Sequence, residues 1–300
     1  MSAAPFKEAL SSLDLFGAQL ASEKPLALLE RPFEALRNQP AILAPFVEEL
    51  VKGFFWQKMD YLDNPYKALC LSLSIQIDKG YDSLGKNEPP YHSRKHFQDV
   101  CLSLSLLLQR QSNIQGNLNG RSNWIASNEE AWILLFCAIG HDYGHDGSIN
   151  QTPFEIEKES IQKLQDFLLA SDIDLLLAKD LLSEIEPIIL ATDPSYFKTL
   201  SSKFIDPHLK PTKTECLSML MVEADLLAST LPEYGKSLGK LLGLEWSIAN
   251  PQAAEKVVST AGRISFLEYV HFFSPHSLNL GMEDIRIQSI HELKKGGGNG

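Results

Sequence analysis

One stretch constrains this chain more than any other: SNEEAWILLFCAIGHDYGHDG, from Ser127 to Gly147. Ser127 followed by Glu130 is a capping box, in which the serine hydroxyl and the glutamate carboxylate satisfy each other's backbone N–H groups. The apolar run after it predicts a buried helix, which hands the chain directly to His141 and Asp142, with His145 one turn beyond. Burying an imidazole and a carboxylate without partners costs several kcal/mol. A polar, histidine-rich helix cap leaves that cost unexplained. Ligation removes it, since imidazole suits zinc and carboxylate suits harder divalent ions. Gly144 and Gly147 allow a tight turn at this point.

Three- and four-residue spacing of apolar side chains continues through most of the chain. With 300 residues and 44% hydrophobic content, there is enough material for a full core. The expected fold is all-α, a compact multi-helix bundle. Further helix starts are read at Asn64-Pro65 (closing near Gly80), at Thr152-Pro153 with Glu155, at Thr212 with Glu215, and at Asn250-Pro251. The last of these is read as one helix reaching Phe273. Pro25, Pro32 and Pro40 divide the first sixty or so residues into two or three amphipathic helices. SNIQGNLNGRSNW, Ser112 to Trp124, reads as an exposed loop. No linker separates two domains. Residues 1–90 are expected to form the N-terminal helical part of the same domain as a core over 91–292, with 293–300 a disordered tail.

The net charge of -11 argues against a long nucleic-acid partner, whose binding rests on a basic surface. A small anionic substrate is compatible with it if metal cations supply local positive charge. The four cysteines are far apart, with no CxxC pair, and read as buried free thiols of a reducing compartment. No secretory signal and no apolar run of membrane-spanning length is present, so a cytoplasmic protein without membrane contact is expected.

Two further segments carry chemistry. YHSRKHFQDV, Tyr91 to Val100, spaces His92 and His96 so that both lie on one face of a helix. Alone, this pair reads as a solvated face or as two satisfied histidines. In LSMLMVEADLLAS, Asp225 follows Met221 by four residues and Leu217 by eight, on the apolar side of a buried helix. A carboxylate there needs a cation or several hydrogen bonds, with an Arg or Lys partner as the alternative. Glu223 points elsewhere on that helix and is expected at the surface.

In this order the segments resemble the HD-domain phosphohydrolases, and among them the class I 3',5'-cyclic nucleotide phosphodiesterases. YHSRKHFQDV resembles their YHNxxHAxDV, HDYGHDGSIN matches HDxxHxGxxN at each defined position, ILATDP resembles LATDM, and EADLLAS resembles ADLS. The similarity runs from about Tyr91 to Val270, and four motifs in correct order carry far more weight than an adjacent His and Asp.

The resemblance implies two divalent metal ions, zinc with magnesium or manganese. His96, His141, Asp142 and Asp225 would hold the first, with Asp142 bridging to the second. His145, Glu157 and Thr192 would surround the second through water. Ser160 stands where the family has the histidine of LExxH. A water between two such ions is deprotonated near neutral pH, giving a hydroxide nucleophile for in-line displacement at phosphorus. His92 would be the general acid for the leaving 3'-oxygen, tuned by a neighbouring carboxylate. Tyr91, Arg263 and Phe266 would contact a small nucleotide substrate. Arg263 replaces the family's purine-reading glutamine, and arginine only donates, which points to a guanine-containing or more negatively charged substrate. Phe266 reads equally as a core residue beside Tyr269 and Val270. Ala228 and Phe197 replace a family asparagine and histidine. The expected activity is hydrolysis of a cyclic nucleotide to its 5'-monophosphate. The alternatives are phosphohydrolysis of another nucleotide or phosphoester, or a non-catalytic metal-stabilised sensor or scaffold.

Overall fold

A computed structural model of the protein describes residues 6–10, 25–111 and 122–296. Among the described residues every regular element is helical and no strand occurs. In chain order the helices are α1 (Pro25–Arg37), α2 (Leu43–Leu50), α3 (Phe54–Met59), α4 (Pro65–Leu84), α5 (Arg94–Leu108), α6 (Asn128–Gly140), α7 (Glu155–Ala170) and α8 (Leu175–Leu190). They continue as α9 (Phe197–Ile205), α10 (Lys213–Thr230), α11 (Pro232–Trp246), α12 (Pro251–Val258), α13 (Thr260–Tyr269), α14 (Pro275–Asn279) and α15 (Met282–Gly296).

The caps form for the reasons the sequence suggests. Ser127 Oγ accepts from Glu130 N at 3.1 Å while Glu130 accepts from Ser127 N at 2.6 Å, fixing the start of α6. Thr212 and Glu215 do the same for α10, and Asn64 and Asn250 cap α4 and α12. Helix α6 is buried from Ala131 to Gly140 and forms the axis of the bundle. Helices α4 and α5 flank it, α8 and α10 pack beside it, and α10 also lies along α5. Phe33, Phe46 and Leu73 of the N-terminal helices share one apolar cluster with Phe136 and Leu220.

Several boundaries differ from expectation. Helix α1 runs through Pro32, because Leu29, Phe33 and Leu36 bury one face on both sides of it. Helix α4 passes Gly80 to reach Leu84, held by Tyr81, whose ring meets Phe97 edge-on at 5.9 Å. Helix α7 starts at Glu155 rather than Thr152: Phe154, with φ of 66°, precedes it and donates its N–H to Asp193 at 2.6 Å. The long C-terminal helix breaks at Ser259, whose Oγ accepts from Gly262 N at 2.9 Å and starts α13. Most of the loop expected at Ser112–Trp124 lies outside the described residues, but Ser122–Trp124 is a 3-10 turn whose Trp124 is buried against Phe204. Helix α15 carries the chain into the expected tail, to Gly296, with Lys294 paired to Glu268 at 2.6 Å; residues 297–300 lie outside the described ones. No helix of the described residues is long and apolar enough to cross a membrane.

Candidate metal centre

Three elements meet at one point. His96 lies in the first turn of α5, His141 and Asp142 follow α6 directly, and Asp225 lies in the last turns of α10. The Nε2 atoms of His96 and His141 are 3.2 Å apart. Asp142 Oδ2 is 3.2 Å from each of them. Asp225 Oδ1 is 3.2 Å from His96 Nε2 and 3.7 Å from His141 Nε2. Donors held about 2.0–2.1 Å from a divalent ion stand roughly 3.0–3.4 Å from their neighbours, in octahedral or tetrahedral arrangement. Four of these five edges match that shell, and the one from Asp225 to His141, at 3.7 Å, is longer. His96, His141 and Asp225 form a compact donor group with all three ligand atoms within 4.8 Å of one another, and Asp142 joins it through both histidines.

His141 donates its Nδ1–H to Ala138 O at 3.2 Å, which leaves the Nε2 lone pair facing the centre. The ion pairs of Asp225 go to these two histidines and to no Lys or Arg among the described residues. Burial opposes a charge on His96, yet its hydrogen bonds to Asp142 and Asp225 outweigh it and raise the imidazole to about 10. Burial likewise opposes ionisation of Asp142, and His141 and His96 overcome it, holding the carboxyl well below its ordinary range. The carboxylates thus demand positive charge at this point. The donor types, their spacing and this charge balance fit a divalent ion.

His92 stands in the turn before α5, with Ser93 as N-cap, and not on the helix as its spacing suggests. Its ring is 5.8 Å from that of His96. Glu245 of α11 fixes it: Oε1 lies 2.5 Å from His92 Nδ1, while Oε2 accepts the backbone N–H of Tyr91 at 2.8 Å and of His92 at 3.0 Å. Burial disfavours the Glu245 charge, but His92 more than offsets it and lowers the carboxyl below its usual range. The other side of the His92 ring stacks on His145 at 3.7 Å and 11°. His145 Nδ1 accepts from Gly147 N at 2.9 Å. Burial, and then the charge of His92, push His145 down to about 4, so it stays neutral. Tyr91 lays its ring 5.0 Å from His96 and shares a hydrogen bond of 3.0 Å with Ser229 Oγ. Gly144 and Gly147 take positive φ, 77° and 86°, as the turn after Asp142 requires.

His145, Glu157 and Thr192, expected around a second ion, are not part of the donor group formed by His96, His141 and Asp225. Glu157 is buried and accepts from Asn150 Nδ2 at 2.9 Å. Burial raises its carboxyl, and the charges of Asp193 and Asp142 add to that. Thr192 donates to Ile189 O at 2.8 Å, so its hydroxyl closes the end of α8. Beside His145 a cavity of about 150 Å³ is lined by Ser160 and Lys163 among others.

Arg263 and Phe266, expected at the substrate, both lie on α13. Arg263 donates to Ser229 O and, at 2.8 Å, to Leu231 O, and its guanidinium lies 5.4 Å from the Phe266 ring centre. Phe266 is half-buried against the core. Ala228 and Phe197 are buried core residues.

Glu223 is not at the surface. It is buried, and it accepts from Phe273 N at 2.6 Å, Ser274 N at 2.8 Å and the hydroxyls of Ser274 and Ser277. The position that sequence reasoning missed at the site is Glu245. In LLGLEWSIAN it reads as an ordinary surface carboxylate, and only the fold brings it to His92. No protein-family model and no curated protein sequence matches this chain.

Proposed function

We propose that the protein is a metal-dependent phosphohydrolase that opens a phosphodiester bond, converting a 3',5'-cyclic nucleotide to its 5'-monophosphate. The observation that carries this reading is the convergence of His96, His141, Asp142 and Asp225 on one point, with His92 held beside it by Glu245. The resemblance of four ordered segments to the cyclic nucleotide phosphodiesterases supports the choice of substrate. Divalent ions, zinc with magnesium or manganese, would supply an acidified water and would neutralise charge on the phosphate. His96, His141, Asp142 and Asp225 would hold the first ion, and His145, Glu157 and Thr192 would surround the second through water.

His92 hands a proton to the departing ribose 3'-oxygen. Its Nδ1 is engaged by Glu245, so its Nε2 is the nitrogen that faces the reaction. The carboxylate keeps the ring oriented through Nδ1. His145, neutral and stacked on the other face, confines the ring without competing for the proton. One observation favours a wider reading, a phosphohydrolase for another nucleotide or phosphoester: Arg263, expected at the base, is held by backbone carbonyls.

The test is hydrolysis of bis(p-nitrophenyl) phosphate, cyclic AMP and cyclic GMP with added Mn²⁺, before and after chelation. Turnover lost on chelation and restored by metal is expected. His92→Gln should lower kcat by about 10²–10⁴ with the metal content intact. Metal-loaded protein that turns over none of these compounds would overturn the proposal.

A further inference from the structure

We infer that Arg263 is a positioning residue for the metal centre: it closes the corner between α10 and α11 and thereby fixes Asp225. The last carbonyls of a helix have no partner within it, and a cation at that end is favourable. Here one guanidinium, through its planar fork, takes the carbonyl of Ser229 in the last turn of α10 and that of Leu231, which also accepts Gly235 N–H at 2.9 Å as α11 begins. Ser229 lies one turn beyond Asp225 on the same helix, and its hydroxyl holds Tyr91, whose ring lies against His96. Helix α11 leaves the same corner at Pro232 and carries Glu245 to His92. A shift of the corner would therefore move a metal ligand, the packing on a second ligand, and the carboxylate behind His92.

The corner has no slack. A Cβ at Gly235 would stand 2.2 Å from Ser229 O and 2.6 Å from Arg263 Nη2. Phe266 supports the guanidinium from α13 itself. Arg286 of α15 donates to Leu267 O at 2.7 Å, near the far end of α13, and pairs with Glu283, with no hydrogen bond to the Arg263 corner among the described residues. Arg286 supplies an internal control: the same chemistry, a buried guanidinium on a helix-end carbonyl, with no bond to an element carrying a ligand.

The inference rests on the metal-binding reading of the His/Asp cluster, and the experiment separates the two. Zinc and manganese affinity is titrated calorimetrically for the full chain and for Arg263→Ala, Arg263→Lys and Arg286→Ala, well below each unfolding midpoint. Arg263→Ala should weaken binding by about 10–100-fold, as loss of a supporting residue does elsewhere. Arg263→Lys keeps the charge but cannot span two carbonyls, so it should fall between; it also serves where the alanine variant does not fold. Arg286→Ala should lower the unfolding midpoint and leave the affinity alone. Parental affinity in both Arg263 variants, or equal weakening by Arg263→Ala and Arg286→Ala, would overturn the assignment. So would a loss confined to one nucleotide with metal affinity intact, which would put Arg263 on the substrate. Parental protein that takes up no divalent ion would overturn the metal-dependent function as well, whereas the other three results leave it standing.

Discussion

Glu223 and Asp225 stand two residues apart on α10, yet the protein serves them in opposite ways. Glu223 is 1% exposed and accepts four hydrogen bonds, from two backbone N–H groups and two serine hydroxyls. The Asp225 side chain is 20% exposed and meets two imidazole nitrogens. The first carboxylate is satisfied by neutral donors and ties α10 to the segment before α14. The second faces nitrogens that carry lone pairs or protons, and a cation between them resolves the conflict. Burial alone does not distinguish a structural acid from a ligand; the kind of partner does.

The largest expected effect on metal binding and turnover lies at Asp225. Structural zinc binding is worth about 10–16 kcal/mol, or roughly 2.5–4 kcal/mol for each of four ligands. Asp225→Asn should weaken zinc affinity by a few hundredfold on that basis and abolish metal-dependent turnover, while chelated protein keeps its thermal midpoint. An Asp225→Asn protein that binds zinc like its parent would break the comparison. Glu223→Ala should do the reverse. It strands buried donors that cost about 1–3 kcal/mol each, so unfolding free energy in urea should drop by about 3–5 kcal/mol, with metal affinity unchanged.

A third test sharpens the Glu223 side. His276 of α14 is fully buried, and neither ring nitrogen has a hydrogen-bond partner among the described residues. Burial, with the charge of Lys213 behind it, lowers this imidazole to about 4. Unfolded histidine binds its proton near 6.5, so between those values the unfolded state holds more protons and stability falls as pH falls. The loss across that window should approach about 3 kcal/mol. His276→Phe should flatten that slope, read by urea unfolding at pH 7 and pH 5; an unchanged slope would place the acid sensitivity elsewhere. The smallest effect is expected for Tyr91→Phe, which removes the hydrogen bond to Ser229 and should cost about 1 kcal/mol in the same assay.

Local chemistry made much of the fold legible. Ser127 with Glu130, Thr212 with Glu215, and the two Asn-Pro pairs each started the helix read from them. His141, Asp142 and Asp225 could be picked out because polar groups interrupted apolar helices, whereas His96 was marked only by the family resemblance, and the fold brings all four together. What failed depended on distant contacts. Glu223 and Asp225 are about 200° apart around a helix, so a one-sided helix would expose one of them; α10 is buried nearly all round, and Ser274 and Ser277 arrive from another element. Glu245 reaches His92 across 153 residues of chain, with no local mark. Ser259 ends one helix and starts the next through its own hydroxyl, a competition that apolar spacing does not register.

Gly147 carries a liability of its own. A Cβ there would stand 2.9 Å from Glu245 Cγ, on a backbone with φ of 86° that side chains resist. A replacement at this position would push the carboxylate from its seat and leave His92, the proposed proton donor, unsupported. On the proposed function, such a variant would keep its ions and lose its speed, a defect that no inventory of ligands would trace to a glycine.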